Sequence, residues 1–267
     1  MDVLSWVPDG VDVTVPNVAR AYDYYLGGYH NFAADREFVA RVEVAMPGFS
    51  YAAQANRAFL GRAVRWLVDA GVRQFLDIGS GIPTLGNVHE VARQSAPDAR
   101  VVYVDIDPVA VAHGRMILAD DPYATSIEAD LRRPAEILGH PEVLQLLDFS
   151  QPTAVLLMAV LHFVPDSDDP AGIIARLRDG LAPGSYLAIS HVTASTHRRE
   201  IEQVRRLYQH TLTPGLPRAP RQVKKLLAGL DLVKPGLTRV DDWLPDSMRA
   251  TRHPQAEVML GAVGRTR

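Results

Sequence analysis

The sequence predicts an α/β protein with a doubly wound, seven-stranded mixed sheet and an N-terminal helical cap. From Gln74 onward, short β-rich runs alternate with helical stretches, which is typical of βαβ units in a parallel sheet. The runs are almost continuously apolar, as expected for strands that are covered on both faces. Only residues 245–255 separate the two closing strands, too few for a crossover helix, so we expect these strands to pair antiparallel or to lie apart.

The first 73 residues are predicted to form the helical cap, and residues 74–267 the main unit. In "TVPNVARAYDYYLGG", Thr14 is a candidate N-cap, and the paired glycines would end the first helix. A second helix should begin after Asn31 and stop near "MPG". A third helix should span 51–70 and lead into the first strand.

The main unit is predicted in the following order. The five parallel strands are "QFLDI", "RVVYVD", "TSIEAD", "TAVLLMAV" and "SYLAISHV". The intervening helices are "TLGNVHEVARQSA", "PVAVAHGRMILA", a segment near 134–147, and "DPAGIIARLRDGL". A long charged helix, a proline-broken stretch and a short helix near "RQVKKLLAGL" follow. The closing strands are "LTRVDDWLP" and "AEVMLGAVGR", and such an antiparallel end distinguishes this sheet from the all-parallel dinucleotide-binding sheet.

Composition excludes several classes of chemistry. The chain has no cysteine, which rules out disulfides, thiolate zinc sites, iron–sulfur clusters and a cysteine nucleophile, and we predict no metal site. The net charge of −3 argues against a nucleic-acid partner. No apolar run reaches the roughly 20 residues of a membrane span, and the N-terminus lacks a signal-peptide pattern. We therefore expect a cytoplasmic protein without a membrane partner.

The stretch "FLDIGSGIP" places a glycine turn directly after the first strand. Gly79 and Gly81 let the backbone turn sharply and approach a ligand, and the following helix offers its N-terminal N–H groups. A dinucleotide fingerprint needs a further glycine at the position of Thr84. Asp77 would repel a pyrophosphate but suits an ammonium group. S-adenosylmethionine carries that ammonium and no phosphate.

Three further acids lie at the ends of the next two strands, namely Asp105, Asp107 and Asp130. Asp105 ends the second strand, where a carboxylate can accept hydrogen bonds from ribose hydroxyls. Asp107 is predicted first as a helix cap and second as a ligand contact. Asp130 follows the third strand and can accept from an adenine amine, although it could equally cap the segment before Pro134. Because the carboxyl ends of parallel strands meet at one edge, Asp77, Asp105 and Asp130 together favour a cofactor site.

The motifs "FLDIGSG", "VVYVDIDP", "EADL", "LMAVLHFV" and "LAPGSYLAIS" resemble those of class I S-adenosylmethionine-dependent methyltransferases, which have a Rossmann-like fold. The segments "TVPNVARAYDYYLGGYHNFAADRE" and "QANRAFLGRAV" are similar to an actinobacterial methyltransferase family first catalogued as a domain of unknown function. The resemblance implies that Asp105 faces the ribose, Asp130 the adenine, and Gly79, Ser80 and Gly81 the methionine part. It also implies that Met158 and Ala159 flank the site. We further predict cofactor contacts at Tyr22 and Tyr25, which share a helix face that could close over the cofactor, and at Ile106, Asp107 and Leu131.

The carboxylate of this cofactor needs a cation, for which Arg57 is the candidate. On a helical wheel, the apolar arc of the third helix contains Asn56 and has Arg57 on its margin, opposite Gln54, Arg62, Arg65 and Asp69. Apolar packing alone would not select Asn56, so we include it among the cofactor contacts. An arginine fork matches a carboxylate bidentately. The alternative for Arg57 is a salt bridge to an acid of the second helix.

Candidates for catalysis are His162 and His191, which follow the fourth and fifth strands, and Tyr22 on the cap. Methyl transfer needs in-line alignment and, for a hydroxyl acceptor, a base. The alternative for each candidate is a structural role. The fourth strand ends in "LMAVLHF" and has no Asn/Asp-Pro-Pro-aromatic motif, which disfavours amino-group methylation of adenine or glutamine. We expect a small-molecule acceptor, with residues 211–221 helping to shape its pocket.

Two other functions stay open at the level of sequence. A nicotinamide-dependent dehydrogenase is disfavoured by Thr84, by Asp77 and by the closing strand pair. A non-catalytic S-adenosylmethionine sensor would keep the cofactor contacts but lack a productive acceptor pocket. The sequence leaves the oligomeric state open.

Overall fold

The computed structural model describes residues 11–83, 86–209, 211, 213–243 and 254–267. The strands are β1 (Gln74–Ile78), β2 (Arg100–Asp105), β3 (Ala124–Glu128), β4 (Ala154–Leu157), β5 (Tyr186–Val192), β6 (Asp231–Leu232), β7 (Thr238–Arg239) and β8 (Met259–Arg265). The helices are α1 (Val18–Tyr25), α2 (Ala33–Ala45), α3 (Phe49–Asp69), α4 (Val88–Arg93), α5 (Pro108–Ile117), α6 (Pro134–Leu138), α7 (Pro141–Leu146), α8 (Pro170–Asp179), α9 (Arg198–Tyr208) and α10 (Pro220–Leu226).

The strands form one sheet in the order β3-β2-β1-β4-β5-β8-β6, and β7 also pairs with β8. The strands β1 to β5 run parallel to one another, whereas β8 runs antiparallel to β5, β6 and β7. This confirms the predicted doubly wound mixed sheet. The strand order reverses between β1 and β4, and in open α/β sheets the ligand crevice lies at such a point, outside the carboxyl ends of the strands.

The sheet has eight strands, whereas the sequence predicts seven. The closing antiparallel pair is present as β7 and β8, but β6 pairs with β8 as well. Because β6 contains only two residues, it is too short to show a periodic pattern. The turn at Pro235 and Gly236 separates it from β7. Part of the connection before β8, residues 244–253, lies outside the described residues.

The helix α1 begins later than predicted. Its N-cap is Asn17, whose side chain accepts hydrogen bonds from the backbone N–H groups of Ala19 and Arg20. Thr14 instead bonds through its N–H and its hydroxyl to Asp12. The prediction of Thr14 as the N-cap is therefore wrong, because its hydroxyl is used in a local turn before the helix.

A buried ion pair joins α1 to α2. Arg20 Nε donates to Asp35 Oδ2 at 2.8 Å, and both side chains are almost fully buried. Asp35 also accepts from the backbone N–H groups of Asn17 and Phe32, and Arg20 donates to the carbonyl of Val15. Since both buried charges have several partners, the pair can fix the relative position of the two helices without leaving an unsatisfied charge.

The helix α3 connects the cap to the sheet. Its side chains Phe59, Val64 and Leu67 are fully buried. Arg62, which the wheel places on the polar arc, is also buried and donates to the carbonyls of Val240 and Trp243 at 2.6 and 3.0 Å. A helical wheel records only the period of one helix, so it misses the segment after β7 that covers this arc.

Two smaller features complete the fold. The segment 134–147 contains two short helices instead of one, because Gly139 follows the end of α6 and Pro141 begins α7. Within the described ranges, we find no helix with the length and apolarity required to cross a bilayer.

Candidate active site

A cavity of about 630 Å³ lies outside the carboxyl ends of the parallel strands. The segments that follow β1, β2, β3 and β4 line one side of it, and α1, α3 and α9 line the other. Residues 213–217 contribute a further wall. The helical cap and the strand ends therefore meet at one cavity, whose volume lies within the range of about 300 to 1,000 Å³ that is typical of small-molecule sites.

The glycine turn after β1 forms part of the cavity wall. Gly79 and Gly81 have positive φ angles of 73° and 66°. A Cβ on Gly79 would lie 2.4 Å from Val160 Cγ2, whereas a Cβ on Gly81 would meet no atom within 4 Å. Gly79 therefore allows the turn to pack on the segment after β4, and Gly81 leaves room for a ligand. Ser80 lines the cavity between them, and Thr84 lies outside the described residues.

Asp105 holds the glycine turn in place. Its Oδ2 accepts a hydrogen bond from the N–H of Gly81 at 2.7 Å, and its Oδ1 accepts from the N–H of Asp107 at 2.9 Å. Burial raises the pKa of Asp105 to about 6, although these N–H groups oppose the shift. Each carboxylate oxygen can accept more than one hydrogen bond. Asp105 can therefore hold the turn and a ligand hydroxyl at the same time.

Asp77 is a second buried acid in the same cavity. Its side chain is only 6% exposed, and no described residue donates a hydrogen bond to its carboxylate. Burial raises the pKa of Asp77 to about 7, which the positive charge of Arg57 opposes and the negative charge of Asp105 reinforces. Arg57 lines the cavity as well. This end of the cavity therefore presents one cation and two acids to a ligand.

The segment after β2 lines the adjoining part of the cavity. Asp107 is the N-cap of α5, and its Oδ1 accepts from the N–H of Val109 at 2.8 Å, which confirms the predicted cap. Burial raises the pKa of Asp107, and this hydrogen bond opposes the shift. Ile106 is 51% exposed and contributes an apolar surface beside Asp105.

The segment after β3 contains Asp130 and Leu131, which both line the cavity. Arg132 Nε donates to both carboxylate oxygens of Asp130, at 3.0 and 2.9 Å. Burial acts to raise the pKa of Asp130, but the hydrogen bonds and charge of Arg132 outweigh it and lower the pKa. Asp130 is therefore ionised at neutral pH and can accept from a ligand amine. Arg132 is a neighbour of the site that we did not predict.

A chain of hydrogen bonds connects the cap to the end of β4. Ala159 N–H donates to Ser190 Oγ at 2.8 Å, and Ser190 donates to Asn56 Oδ1 at 2.5 Å. Asn56 Nδ2 donates to the Tyr22 hydroxyl at 2.9 Å, and this hydroxyl donates to the carbonyl of Ala53 at 3.2 Å. Asn56 lines the cavity, but its amide oxygen and one N–H are bound to protein partners.

Tyr22, Met158 and Ala159 line the cavity at the two ends of this chain. Ala159 has a φ of 53°, which is uncommon for a residue with a side chain, and its bond to Ser190 helps to hold that conformation. Burial raises the pKa of Tyr22, although Arg57 and Asn56 oppose the shift. Because its hydroxyl is neutral and already donates to a carbonyl, Tyr22 is poorly placed to act as a base.

His191 does not line the cavity. Its Nε2 lies 3.1 Å from Arg218 Nη1, and its Nδ1 lies 2.7 Å from the carbonyl of Val192. Since arginine only donates, His191 carries its proton on Nδ1 and accepts through Nε2. Burial lowers the pKa of His191 to about 4. Both ring nitrogens are therefore bonded to described residues, and the ring lies behind the cavity wall and not in it.

His162 does line the cavity. Its Nδ1 is buried and has no hydrogen-bond partner among the described residues. Burial lowers the pKa of His162 well below its ordinary value, and the nearby His191 and Arg218 reinforce the shift. His162 is therefore neutral at physiological pH, and no described residue forms a hydrogen bond with either of its ring nitrogens. Of the three predicted catalytic candidates, it alone lines the cavity without such a bond.

Residues 213–217 belong to the proline-broken stretch that we predicted to shape the acceptor pocket, and they line the cavity. The N–H of Leu216 donates to the carbonyl of His162 at 2.6 Å. The buried Arg218 follows and donates to the carbonyls of Leu161 and Val164 and to Oδ1 of Asp166. Arg218 thus attaches this stretch to the segment after β4.

Tyr25 completes the predicted set, and it also lines the cavity. Its hydroxyl lies 3.5 Å from the hydroxyl of Tyr208, and its ring packs edge-on against Phe49 at 5.5 Å. Burial raises the pKa of Tyr25 well above its ordinary value. Apart from His191, every predicted site residue therefore lines the cavity.

The sequence analysis missed two buried polar residues that organise the site, Ser190 and Arg218. Ser190 lies in the strand "SYLAISHV" and breaks its apolar run, which is a weak signal for a buried hydrogen bond. Arg218 lies between two prolines, where nothing in the local pattern indicates burial. In both cases the principal partners are distant in sequence, so the residues become recognisable only in the folded chain.

The arrangement fits the chemistry of S-adenosylmethionine. A ligand ammonium would supply the hydrogen-bond donor that the buried carboxylate of Asp77 lacks among the described residues. Asp105 offers its remaining acceptor capacity to ribose hydroxyls, and the open space beside Gly81 admits the ligand. The ionised carboxylates of Asp77 and Asp105 would oppose a pyrophosphate at this end of the cavity.

Comparisons with known proteins agree with this chemistry. A family model described as S-adenosyl methyltransferase matches residues 5–267. The crystal structure of a candidate methyltransferase from Thermobifida fusca is 38% identical, with a TM-score of 0.93 over 99% of this chain and 100% of that chain. A DUF574 family protein from Streptomyces avermitilis is 40% identical, with a TM-score of 0.92 over 96% of this chain and 99% of that chain.

A more distant structure shares the fold alone. Human N-acetylserotonin methyltransferase in complex with S-adenosylmethionine is 15% identical, with a TM-score of 0.51 over 95% of this chain and 63% of that chain. No curated protein matches this chain. The match of the family model to nearly the whole chain is decisive, and it agrees with the motifs read from the sequence: the chain belongs to the S-adenosyl methyltransferase family and is an S-adenosylmethionine-dependent methyltransferase.

Proposed function

We propose that this methyltransferase transfers the methyl group of S-adenosylmethionine to a small molecule that binds in the same cavity, beside the cofactor. The observation that carries the proposal is the continuity of this cavity. It extends from the glycine turn and the acids to a buried wall formed by α1, α3, α9 and residues 213–217. A polymer would need an open groove at the reacting end, whereas here the helical cap lies over it.

The cofactor contacts are part of this proposal. Asp77 would pair with the ammonium group and Arg57 with the carboxylate, because the two side chains bring opposite charges to the end of the cavity beside the glycine turn. Asp105 would accept from the ribose hydroxyls. Asp130 would accept from the adenine amine, with Ile106 and Leu131 as the apolar surfaces against the base.

His162 is the residue that we propose as the base, should the acceptor be a hydroxyl. S-adenosylmethionine supplies an activated methyl group, so the chain itself has to align the acceptor, exclude water and take up a proton. The neutral ring of His162 lines the cavity and has a nitrogen that no described residue uses. The side chains of Tyr22 and His191 are hydrogen-bonded to protein partners. Their proposed role is to hold neighbouring residues in position.

The acceptor can be found by label transfer. The purified protein is incubated with methyl-labelled S-adenosylmethionine and with an extract of the source organism that has been separated into small molecules, protein and nucleic acid. We expect label in the small-molecule fraction, and its loss with the Asp105→Ala variant. Label in protein or nucleic acid alone would overturn the proposal. The Asp98→Ala variant, which changes an exposed acid that does not line the cavity, is the matched control.

A further inference from the structure

We call the segments that follow β1, β2 and β3 the cofactor loops. The part of the cavity away from these loops is lined by apolar and aromatic side chains. We call this part the acceptor chamber and define it by Tyr25, Phe49, Phe163, Ile201, Val204 and Tyr208. Tyr208 connects several of these residues, because its hydroxyl lies 3.5 Å from that of Tyr25 and its ring centroid lies 6.1 Å from that of Phe163. Tyr25 in turn contacts Phe49 edge-on at 5.5 Å. Ring and hydroxyl contacts thus connect Tyr25, Phe49, Phe163 and Tyr208, and Ile201 and Val204 belong to the same buried cluster as Tyr25 and Phe49.

Among the described residues that define the chamber, none offers an unpaired charge. Of the charged side chains that line the cavity, only Arg205 comes from α9, and Glu202 binds it through two hydrogen bonds of 2.7 Å. The remaining charged groups belong to the cofactor loops and to Arg57, whose charge acts on Asp77. Burial raises the pKa of Tyr208 to about 12, so this tyrosine is neutral. An ion in the chamber would lose its hydration without gaining a counter-charge.

A polar group does occur at the edge of the chamber. His162 lies next to Phe163, with the two ring centroids 4.4 Å apart; its Nδ1 is buried, and its Nε2 forms no hydrogen bond with a described residue. A neutral imidazole can bind one hydroxyl or amino group of a ligand without requiring a charge. The chamber therefore combines extensive apolar surface with a few neutral polar groups, namely the His162 ring and the hydroxyls of Tyr25 and Tyr208.

We infer that the methyl acceptor is an uncharged, largely apolar molecule with a flat aromatic ring system and one polar group directed at His162. Aromatic walls favour rings that pack edge-on or offset at about 4.5 to 7 Å between centroids, which is the spacing within the wall itself. The absence of an unpaired charge among the described chamber residues selects against carboxylates and ammonium ions of the same shape. This inference rests on the proposed function, because it concerns the acceptor end of the same cavity.

The test is a series of ligands matched in shape and different in charge. Equilibrium dialysis is run on the full chain, saturated with S-adenosylhomocysteine, with a naphthol, a naphthoate and a naphthylmethylammonium salt. We expect the naphthol to bind and the two ions to bind at least about tenfold more weakly. Equal or tighter binding of either ion would overturn the inference, and so would no binding of any of the three.

Variants of Tyr208 locate the binding. Tyr208→Phe keeps the ring and should change naphthol affinity by less than about twofold, whereas Tyr208→Leu removes the ring and should weaken it by about threefold to tenfold. The exposed Tyr29→Leu is the matched control, with no change expected. Unchanged affinity for Tyr208→Leu would place the naphthol elsewhere and refute the chamber as its site. If that variant does not fold, the ligand series alone decides.

Calorimetry with S-adenosylhomocysteine separates this inference from the proposed function. Normal binding of S-adenosylhomocysteine together with a preference for an ion would remove only the inference about the acceptor class. Failure of the wild-type chain to bind S-adenosylhomocysteine would remove the proposed cofactor contacts themselves.

Discussion

At the scale of single residues, the two buried acids of the cofactor end determine how the protein responds to pH. Burial raises the pKa of Asp77 to about 7 and that of Asp105 to about 6, from an ordinary value of 3.8. A folded state that binds protons more tightly than the unfolded state becomes less stable as the pH rises. When they are ionised, above neutral pH, these acids therefore destabilise the folded protein that has no ligand bound. A positively charged ligand bound beside them would offset this destabilisation.

The variant Asp77→Asn should be more stable than the wild type in the absence of cofactor. The folded-state pKa is raised, so the stability that this group contributes is complete below about pH 4 and lost as the pH rises through about 7. The gain in unfolding free energy should be about 1 to 3 kcal/mol at pH 8 and smaller at pH 5. Urea unfolding at both pH values measures it, with the exposed Asp98→Asn as the control. A variant less stable than the wild type at pH 8 would contradict the assignment.

The variant Asp105→Ala should bind S-adenosylmethionine more weakly by about 1 to 3 kcal/mol, because it loses charge-assisted hydrogen bonds to the ribose. It also removes the acceptor for the N–H of Gly81, so part of the loss comes from a looser turn. Asp105→Asn keeps one acceptor oxygen and should lose less. Titration calorimetry gives the affinities, and circular dichroism verifies that the fold is kept. Wild-type affinity in the alanine variant would refute the ribose contact.

At the scale of elements, the chain Ala159, Ser190, Asn56 and Tyr22 connects β4, β5, α3 and α1. Each of these elements contributes to the cavity or lies directly behind it. Ser190 is fully buried and acts as donor and acceptor in this chain. Buried polar networks in which every member is satisfied hold their elements in a fixed arrangement. The helical cap is thereby positioned over the end of β4 by hydrogen bonds as well as by apolar packing.

The variant Ser190→Ala should reduce the unfolding free energy by about 1 to 3 kcal/mol, because the N–H of Ala159 and the Oδ1 of Asn56 lose their partner in a buried site. The exposed Ser167→Ala is the control and should change stability by less than about 0.5 kcal/mol. Chemical denaturation of the three proteins measures the difference. Equal stability of Ser190→Ala and Ser167→Ala would show that the network contributes nothing.

The elements also show what the sequence can reveal. The parallel strands, the glycine turn and the acids after the strands are local patterns, and all of them were predicted. The eighth strand was not, because β6 has only two residues. Arg62 was assigned to a polar face, because its carbonyl partners are about 180 positions further along the chain. Ser190 was missed for the same reason, since Asn56 lies 134 positions away. A sequence shows the periodic pattern within a helix or strand. It does not show which distant residues will be partners in the folded chain.

At the scale of the whole molecule, the cap and the sheet share one core. A single cluster of buried residues contains Phe59 and Leu67 of α3 together with Phe75 of β1 and Val263 of β8. The sequence predicts a boundary between residues 73 and 74. Residues on both sides of this boundary belong to that one cluster. The cap also supplies one side of the cavity. We therefore propose that the two parts form one cooperative unit, with the cap required for both stability and binding.

A fragment of residues 74–267 should consequently fail to fold on its own. Removing α3 withdraws the buried side chains Phe59, Leu60, Val64 and Leu67 from the core, at roughly 2 kcal/mol each, or about 8 kcal/mol in total. That loss is comparable to the whole stability of a typical domain, about 5 to 15 kcal/mol. We expect the fragment to lack a cooperative thermal transition by circular dichroism, and co-expression with residues 1–73 to restore it. A cooperative transition in the isolated fragment, with cofactor binding intact, would show that the cap is an independent addition.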